Sequence, residues 1–489
     1  MESIMKLSDE SLFKCKGYID GRWEDAKSGE TFEVSDPATG TVVAACPDMN
    51  NLDVVLAIEA AKRAQVLFGK SSAYSRSKML QDWAGLMLAN KEDLARIVTV
   101  ENGKPLAEAR GEIAYAAAFL TWFAEEAIRI QGETVRTNVD SHRVVTVREP
   151  VGVCGLITPW NFPAAMITRK AGPAIAAGCT TVVKAPGETP LTALALAELA
   201  ERAGIPGGVF NVVTTLKYTP EVGRTITTSP IVRKISFTGS TTVGRLLCEQ
   251  SSSTIKKMSL ELGGLAPFIV FDDADIEAAV AGAVVSKFRA SGQTCVCANT
   301  MFVHRSVYDR FAKGLIEVVK TFKVGNGLHS DTTHGPLIHQ KAVSKVSEHV
   351  QDALEKGATV VVGGNVLPEL GPTFFEPTVI LNATLDMKFT QEEIFGPLAG
   401  IVSFETEEEV LAAVNRSEYG LAAYFYSRDI SRCWRVAERL DVGMVGVNSG
   451  IVSNPASPFG GVKQSGYGRE GSKQGIDEYT TVKSITFTV

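Results

Sequence analysis

The sequence predicts an α/β protein: two α/β domains plus a small β arm. Three observations carry that prediction. Between residues 151 and 264, short β-branched runs alternate with Ala- and Leu-rich helical runs, the pattern of βαβ units on a parallel sheet. The alternation resumes after Gly264, which implies a second α/β layer with its own core and a cleft between the two. At 489 residues the chain exceeds one ordinary core, so two or three domains are expected.

The elements follow in order. Segment 16–25, KGYIDGRWED, alternates around Asp20-Gly21 and reads as a hairpin. DPATG at 36–40 is a turn, and TVVAACP is a strand ended by Pro47. Apolar residues at helical spacing predict a helix over 51–69, with Asn51 placed to cap it. Amphipathic helices over 75–90 and 91–101 come next, broken by Asn102-Gly103-Lys104-Pro105. A proline-free helix is expected over 106–131. Segment 134–150 alternates and ends at a proline, as an edge strand or arm would.

The strands VGVCGLIT, TTVVK, VFNVV, IVRKISFTGS and KKMSLEL are then separated by helices at 164–177, 189–203, 220–228 and 242–251. Past Gly264 come PFIVF, a helix from Ala274, TMFVH, a helix over 307–321, another through 351–356, and the strand ATVVVGG. The tail, GIDEYTTVKSITFTV, closes as an alternating strand suited to pair with 134–150 of the same or another chain.

Composition narrows the function. Hydrophobic residues at 45% and charged residues at 21% are those of a globular protein. A net charge of −6 offers no surplus of Lys and Arg for nucleic-acid phosphates. Eight cysteines without a disulfide-framework spacing point to a reducing compartment. Cys295-Val-Cys297 lacks the second pair or histidines that a zinc site needs, so no metal is expected. The N-terminal stretch MESIMKLSDESLFKCKG has neither an apolar core nor an Arg-rich pattern, and no apolar run is long enough to span a membrane. A cytoplasmic protein with no membrane partner is the expectation.

Several short motifs could carry chemistry. TPWNFP puts Trp160 and the Asn161 amide between a strand and a helix, where an Asx turn is the competing reading. FTGSTTVG brings Gly239, Ser240 and Gly244 to a helix start, which favours phosphate but also suits an ordinary turn. Lys184 ends the strand TVVK and suits ribose hydroxyls or phosphate, or solvent alone. Glu261 precedes Leu262-Gly-Gly264, as a buried general base or as a turn residue. GQTCVC offers Cys295 and Cys297, useful nucleophiles only as thiolates and otherwise small buried residues.

In combination and order, PWNFP, VVK, FTGS, ELGG, GQTC, EEIFGP and PFGG make this chain resemble the aldehyde dehydrogenase superfamily over essentially its whole length. TWFAEEAIRIQGETV, NFPAAMITRKAGPAIAAGC, FRASGQTCVCANT and GGVKQSGYGREGSKQGIDEY bring it nearest the succinate-semialdehyde branch. The resemblance implies a Rossmann-like cofactor domain (1–130 and 149–260), a catalytic α/β domain (261–473) and an oligomerisation arm (131–148 and 474–489). A homodimer or homotetramer is expected with it.

It further implies that Cys295 attacks the aldehyde, with Asn161 and the Cys295 N–H holding the oxyanion. Glu261 would activate the water that hydrolyses the thioester. Lys184, Gly239, Ser240, Gly244, Glu393 and Phe395 would contact the dinucleotide, with Trp160 and Leu262 beside it. Arg169, Arg289 and Ser453 match the residues that hold a distant substrate carboxylate, a task suited to guanidinium. Cys297 would be a redox partner of Cys295 or merely its neighbour. Many NAD-using relatives carry an acid where Gly187 stands here, with Glu188 one later, so the bias against NADP is relaxed. NADP or NAD is expected, leaning to NADP. Glutarate semialdehyde is the alternative substrate, one methylene longer. A non-catalytic protein on the same scaffold is the other alternative, and the presence of Cys295, Glu261 and Asn161 together opposes it.

Overall fold

The computed structural model describes residues 6–489; the first five residues of the N-terminal stretch lie outside the described residues. Strands Gly17–Ile19 and Arg22–Glu24 pair antiparallel across Asp20-Gly21, both at positive φ, as a two-residue hairpin turn requires. Helix Asn51–Phe68 is capped by Asn50, not Asn51. The Asn50 side chain accepts from the Leu52 N–H, and Asp53 completes a capping box. Two asparagines stand side by side, and only Asn50 has the extended backbone of a cap. The long helix runs Leu106–Ala127, ending short of residue 131.

The first sheet has eight strands. Its five parallel members stand in the order Phe210–Val213, Thr180–Lys184, Val153–Ile157, Val232–Thr238, Lys257–Glu261. The chain order reverses between Val153–Ile157 and Val232–Thr238. A crevice opens outside the carboxyl ends of the strands at such a point. TPWNFP follows the first of these strands and Gly239-Ser240 the second, so both motifs flank that crevice. The N-terminal hairpin extends one edge of the sheet, and the short strand Gly466–Tyr467 returns to the other.

The second sheet has seven strands, six of them parallel. Thr378–Leu381, Leu398–Phe404, Ala422–Tyr426 and Met444–Val447 lie past Thr359–Val362, where the alternation read from the sequence stops. A three-stranded antiparallel sheet joins Thr480–Thr488 to His142–Pro150 and Thr134–Val135 of the same chain. The tail thus finds the partner expected for it. Helix Leu106–Ala127 is anchored through Ala109, Ile113, Ala116, Phe119, Leu120 and Phe123, all buried at helical spacing. Burying each large member contributes roughly 1.5–3 kcal/mol, enough to make this helix a fixed wall for what it faces.

Candidate active site

Between helix Ile276–Phe288 and strand Thr300–His304 the chain makes the turn that presents Cys295. Ala290, Ser291 and Gly292 all have positive φ, which costs the two non-glycines of order 1 kcal/mol or more each. Three contacts hold the turn. The Glu108 carboxylate accepts from the Ala290 N–H at 3.0 Å, Ser291 Oγ donates to the Gly335 carbonyl at 2.8 Å, and Gln293 Oε1 accepts from the Ile338 N–H at 2.9 Å. Gly292 passes so close to Gly396 that a Cβ would stand 2.1 Å from its carbonyl oxygen. The Gly-Gln of GQTC therefore has a mechanical reason: one residue permits the approach and the next ties the loop down.

Cys295 opens onto two cavities, of about 320 and 240 Å³. Burial pushes its thiol well above the ordinary range, the Glu261 carboxylate adds to this, and Arg169 partly offsets both. At rest the sulfur is a thiol with a carboxylate beside it. Asn161 Nδ2 donates to the Gln293 carbonyl at 3.0 Å, so its amide stands against the nucleophile turn, and its Oδ1 is buried without a partner.

The smaller cavity brings together Trp160, Asn161, Gly239, Ser240, Leu262, Glu393 and Phe395 with Glu261 and Cys295. Phe395, at positive φ, meets Trp160 edge-on at 5.7 Å. Burial pushes the Glu393 carboxyl up to about 7, with Lys345 partly offsetting it. Lys184, Gly187 and Gly244 are not among the walls of this cavity. Lys184 ends the neighbouring strand with no ion-pair partner among the described residues, and burial pushes its ammonium down to about 8. A Cβ on Gly187 would meet Leu216 Cδ1 at 2.7 Å. A Cβ on Gly244 would meet Leu262 Cδ2 at 2.6 Å, so the bare backbone here lets the helix start pack against Leu262. A helix of 11 residues opening at Gly239-Ser240, an unpaired buried lysine and a buried carboxylate form a donor and acceptor set that fits a dinucleotide.

The larger cavity brings together Arg169, Arg289, Ser453, Phe162 and Cys295. Arg169 lines the wall but is no free clamp: its Nη2 donates to Glu261 at 2.5 Å, and its Nε pairs with Glu470. Burial opposes its charge, but Glu470 and Glu261 together outweigh burial and hold the guanidinium above its ordinary value. A fully buried arginine must be compensated, and these carboxylates compensate it. Among the described residues Arg289 has no ion-pair partner; it is half-buried, with its guanidinium 5.5 Å from the Phe162 ring. Cys297 faces away from this chemistry, its Sγ donating to the Lys287 carbonyl at 3.2 Å, and both cysteines of CVC are free.

Some residues around the site carried no signal in the sequence. Asn299 ties the nucleophile loop to the 389–394 loop, donating to the Phe389 carbonyl at 2.6 Å and accepting from the Ile394 N–H at 2.9 Å. Glu470 also pairs with Lys170, which donates to Thr238 Oγ1 at 2.7 Å, while Thr238 donates to Glu261 at 3.0 Å. Only the segment GYGREG, already part of the resemblance, pointed towards Glu470.

The profile of the aldehyde dehydrogenase family matches residues 23–485. The chain is 53% identical to succinate-semialdehyde dehydrogenase [NADP(+)] 1 of Schizosaccharomyces pombe over 484 residues, covering 99% of this chain and 97% of that one. It is 54% identical to glutarate-semialdehyde dehydrogenase of Pseudomonas aeruginosa over 481 residues, covering 98% and 99%. The crystal structure of succinate-semialdehyde dehydrogenase from Burkholderia pseudomallei superposes with a TM-score of 0.98 at 55% identity, covering 99% of this chain and all of that one.

Proposed function

The chain belongs to the aldehyde dehydrogenase family, and on that premise we propose that it oxidises succinate semialdehyde to succinate, using NADP in preference to NAD. The observation that carries this reading is the place of Cys295, where a cavity holding one unpaired arginine meets a cleft suited to a dinucleotide.

Glu261 takes the thiol proton and passes it to solvent before the hydrolytic step, and the sulfur attacks the aldehyde carbon. Asn161 Nδ2 and the Cys295 N–H stabilise the oxyanion of the thiohemiacetal. When bound, the nicotinamide supplies the two-electron acceptor. Glu261, held at one oxygen by Arg169 and Thr238, keeps Oε1 free of partners and draws a proton from the water that cleaves the thioester. Arg289 grips the substrate carboxylate with Ser453 beside it, and Arg169 lines the same wall while holding Glu261 in place. Trp160, Lys184, Gly239, Ser240, Leu262, Glu393 and Phe395 hold the cofactor, and Gly187 leaves room beside its ribose.

We assign 1–130 and 149–260 to the cofactor domain, 261–473 to the catalytic domain, and 131–148 with 474–489 to an arm. Strand Thr480–Thr488 exposes a nine-residue sheet edge, which supports closure against a second copy in a homodimer or homotetramer. Eight free cysteines suit a reducing, cytoplasmic setting.

Glutarate semialdehyde is the second reading. It is favoured by the similarity to the Pseudomonas aeruginosa protein, and one methylene is worth only ~1–3 kcal/mol of discrimination. Steady-state kinetics of both semialdehydes with NADP and NAD test the proposal. The expected outcome is the highest kcat/KM for succinate semialdehyde with NADP. A preference for an uncharged aldehyde would overturn it.

A further inference from the structure

Lys104 and Glu112 form an ion pair at 2.5 Å whose side chains are 2% and 0% exposed, and neither takes part in the chemistry above. Replacing such a buried pair with apolar groups is often neutral or stabilising. Its presence is therefore better explained by what it holds. Lys104 Nζ also donates to the Asn161 carbonyl at 2.7 Å. Glu112 Oε1 accepts from the N–H groups of Ala164 and Ala165, at 2.9 and 3.3 Å. Helix Ala165–Ala177 has no side-chain cap from its own N-cap residue, so Glu112 supplies that cap from a distant helix. One turn earlier on the same face, Glu108 grips the Ala290 N–H just ahead of Cys295.

From these contacts we propose that Lys104 and Glu112 are positioning residues for the Asn161 amide, with helix Leu106–Ala127 as the common frame that sets the oxyanion loop against the nucleophile turn. The frame is rigid because the residues flanking this face, Ala109, Ile113, Ala116, Leu120 and Phe123, are buried in the core. Fixing the Asn161 carbonyl fixes its backbone, and only two side-chain torsions then separate that backbone from the amide. The inference rests on the reading of Asn161 as the oxyanion donor.

The test compares Lys104→Met, Glu112→Gln, K104M/E112Q and Asn161→Ala by steady-state kinetics and by the single-turnover NADPH burst. The double variant leaves no lone buried ion. Displacement of a catalytic group by ~1 Å costs up to ~100-fold, so the burst rate and kcat should fall about 10- to 100-fold. KM should stay within about threefold, and the double variant should be no slower than K104M, since both residues act through one support.

A folded double variant with the parental burst rate, beside a slow N161A, would overturn the positioning role and leave the oxyanion reading intact. A parental burst in N161A would overturn both. Should the double variant not fold, E112Q decides by the same burst, because its amide oxygen still accepts from Ala164 while its charge is gone.

Discussion

The two cavities that meet at Cys295 balance their charges in opposite ways. On the substrate side the ions are settled among themselves: Lys104 with Glu112, and Arg169 with Glu261 and Glu470. Among that cavity's cations only Arg289 has no ion-pair partner among the described residues, and the one further carboxylate, Glu108, is engaged by the Ala290 N–H. On the cofactor side Glu393 lines the cavity with Lys345 nearby, and Lys184 ends a neighbouring strand outside its walls; neither Glu393 nor Lys184 has an ion-pair partner among the described residues. Burial drives both towards neutrality, Glu393 up to about 7 and Lys184 down to about 8. A compensated wall with one spare cation reads a charge on its ligand. A cleft of half-neutral groups has its charges fixed only when a ligand arrives.

Breaking the comparison at its spare cation gives the largest effect. Arg289→Leu should raise KM for succinate semialdehyde about 30- to 1000-fold, the loss of a charged contact worth ~2–4 kcal/mol. KM for propanal should stay within about threefold. Arg169→Leu should behave differently, because it strands Glu261 and Glu470 and so lowers kcat on both aldehydes alike. Kinetics of the two variants on the two aldehydes check this. Equal losses for Arg289→Leu on both substrates would remove carboxylate recognition from that residue.

The contrast between these arginines also marks where the sequence stops being legible. Strand–helix alternation announced both sheets, and motif order announced Cys295, Glu261 and Asn161 as a set. Those signals are local, since a glycine or an amide at a strand end leaves its trace within a few residues. Compensation is not local. Glu470 lies 301 positions from Arg169 along the chain, and nothing in ITRKAG says that two carboxylates will find this guanidinium. The roles of Lys104 and Glu112 are hidden for the same reason: NGKP reads as a helix break, and the lysine's role appears only where Asn161 folds back beside it. The last four strands of the second sheet are less legible because the alternation breaks down first. A helix-free loop precedes Thr378–Leu381 and only the four-residue helix Lys388–Gln391 precedes Leu398–Phe404, before short helices Glu407–Asn415 and Ile430–Arg439 resume the pattern. The choice of Asn50 over Asn51 as the cap is not legible in the sequence, because backbone conformation decides between two identical side chains.

Gly187 sharpens the cofactor side, with a smaller effect. Its φ is not in the left-handed region, and a Cβ there would press on the movable end of Leu216 at 2.7 Å and on the Thr215 carbonyl at 3.2 Å. A side chain therefore fits after a modest shift. Gly187→Glu should place a carboxylate where a 2′-phosphate would approach, near the spare charge of Lys184. The expected change is about a tenfold fall in the ratio of kcat/KM with NADP to that with NAD, a difference of ~1.4 kcal/mol. An unchanged ratio would show that position 187 does not face the 2′-phosphate.

The smallest expected effect lies in pH, and it follows from the single ions of the cofactor side. In the free enzyme Lys184 loses its positive charge as pH rises through about 8, and Glu393 loses its negative charge as pH falls through about 7. Both are charged only in the window between. If Lys184 meets an anionic or hydroxyl-rich part of the dinucleotide and Glu393 accepts from ribose hydroxyls, affinity for NADPH should be greatest there. It should weaken on each side by up to about tenfold per pH unit, the limit for a single proton. NADPH should lose more than NADH on the alkaline side, because a 2′-phosphate depends more on the lysine charge than a hydroxyl does. Fluorescence titration between pH 6 and 9 measures both limbs. Glu393→Gln should flatten the acid limb and Lys184→Met the alkaline one. The substrate side supplies the control: KM for succinate semialdehyde at saturating cofactor should vary little across the same range, since a guanidinium holds its charge throughout. A KM that followed the two limbs would mean that the cavities share their titrating groups, and the division drawn at Cys295 would fail.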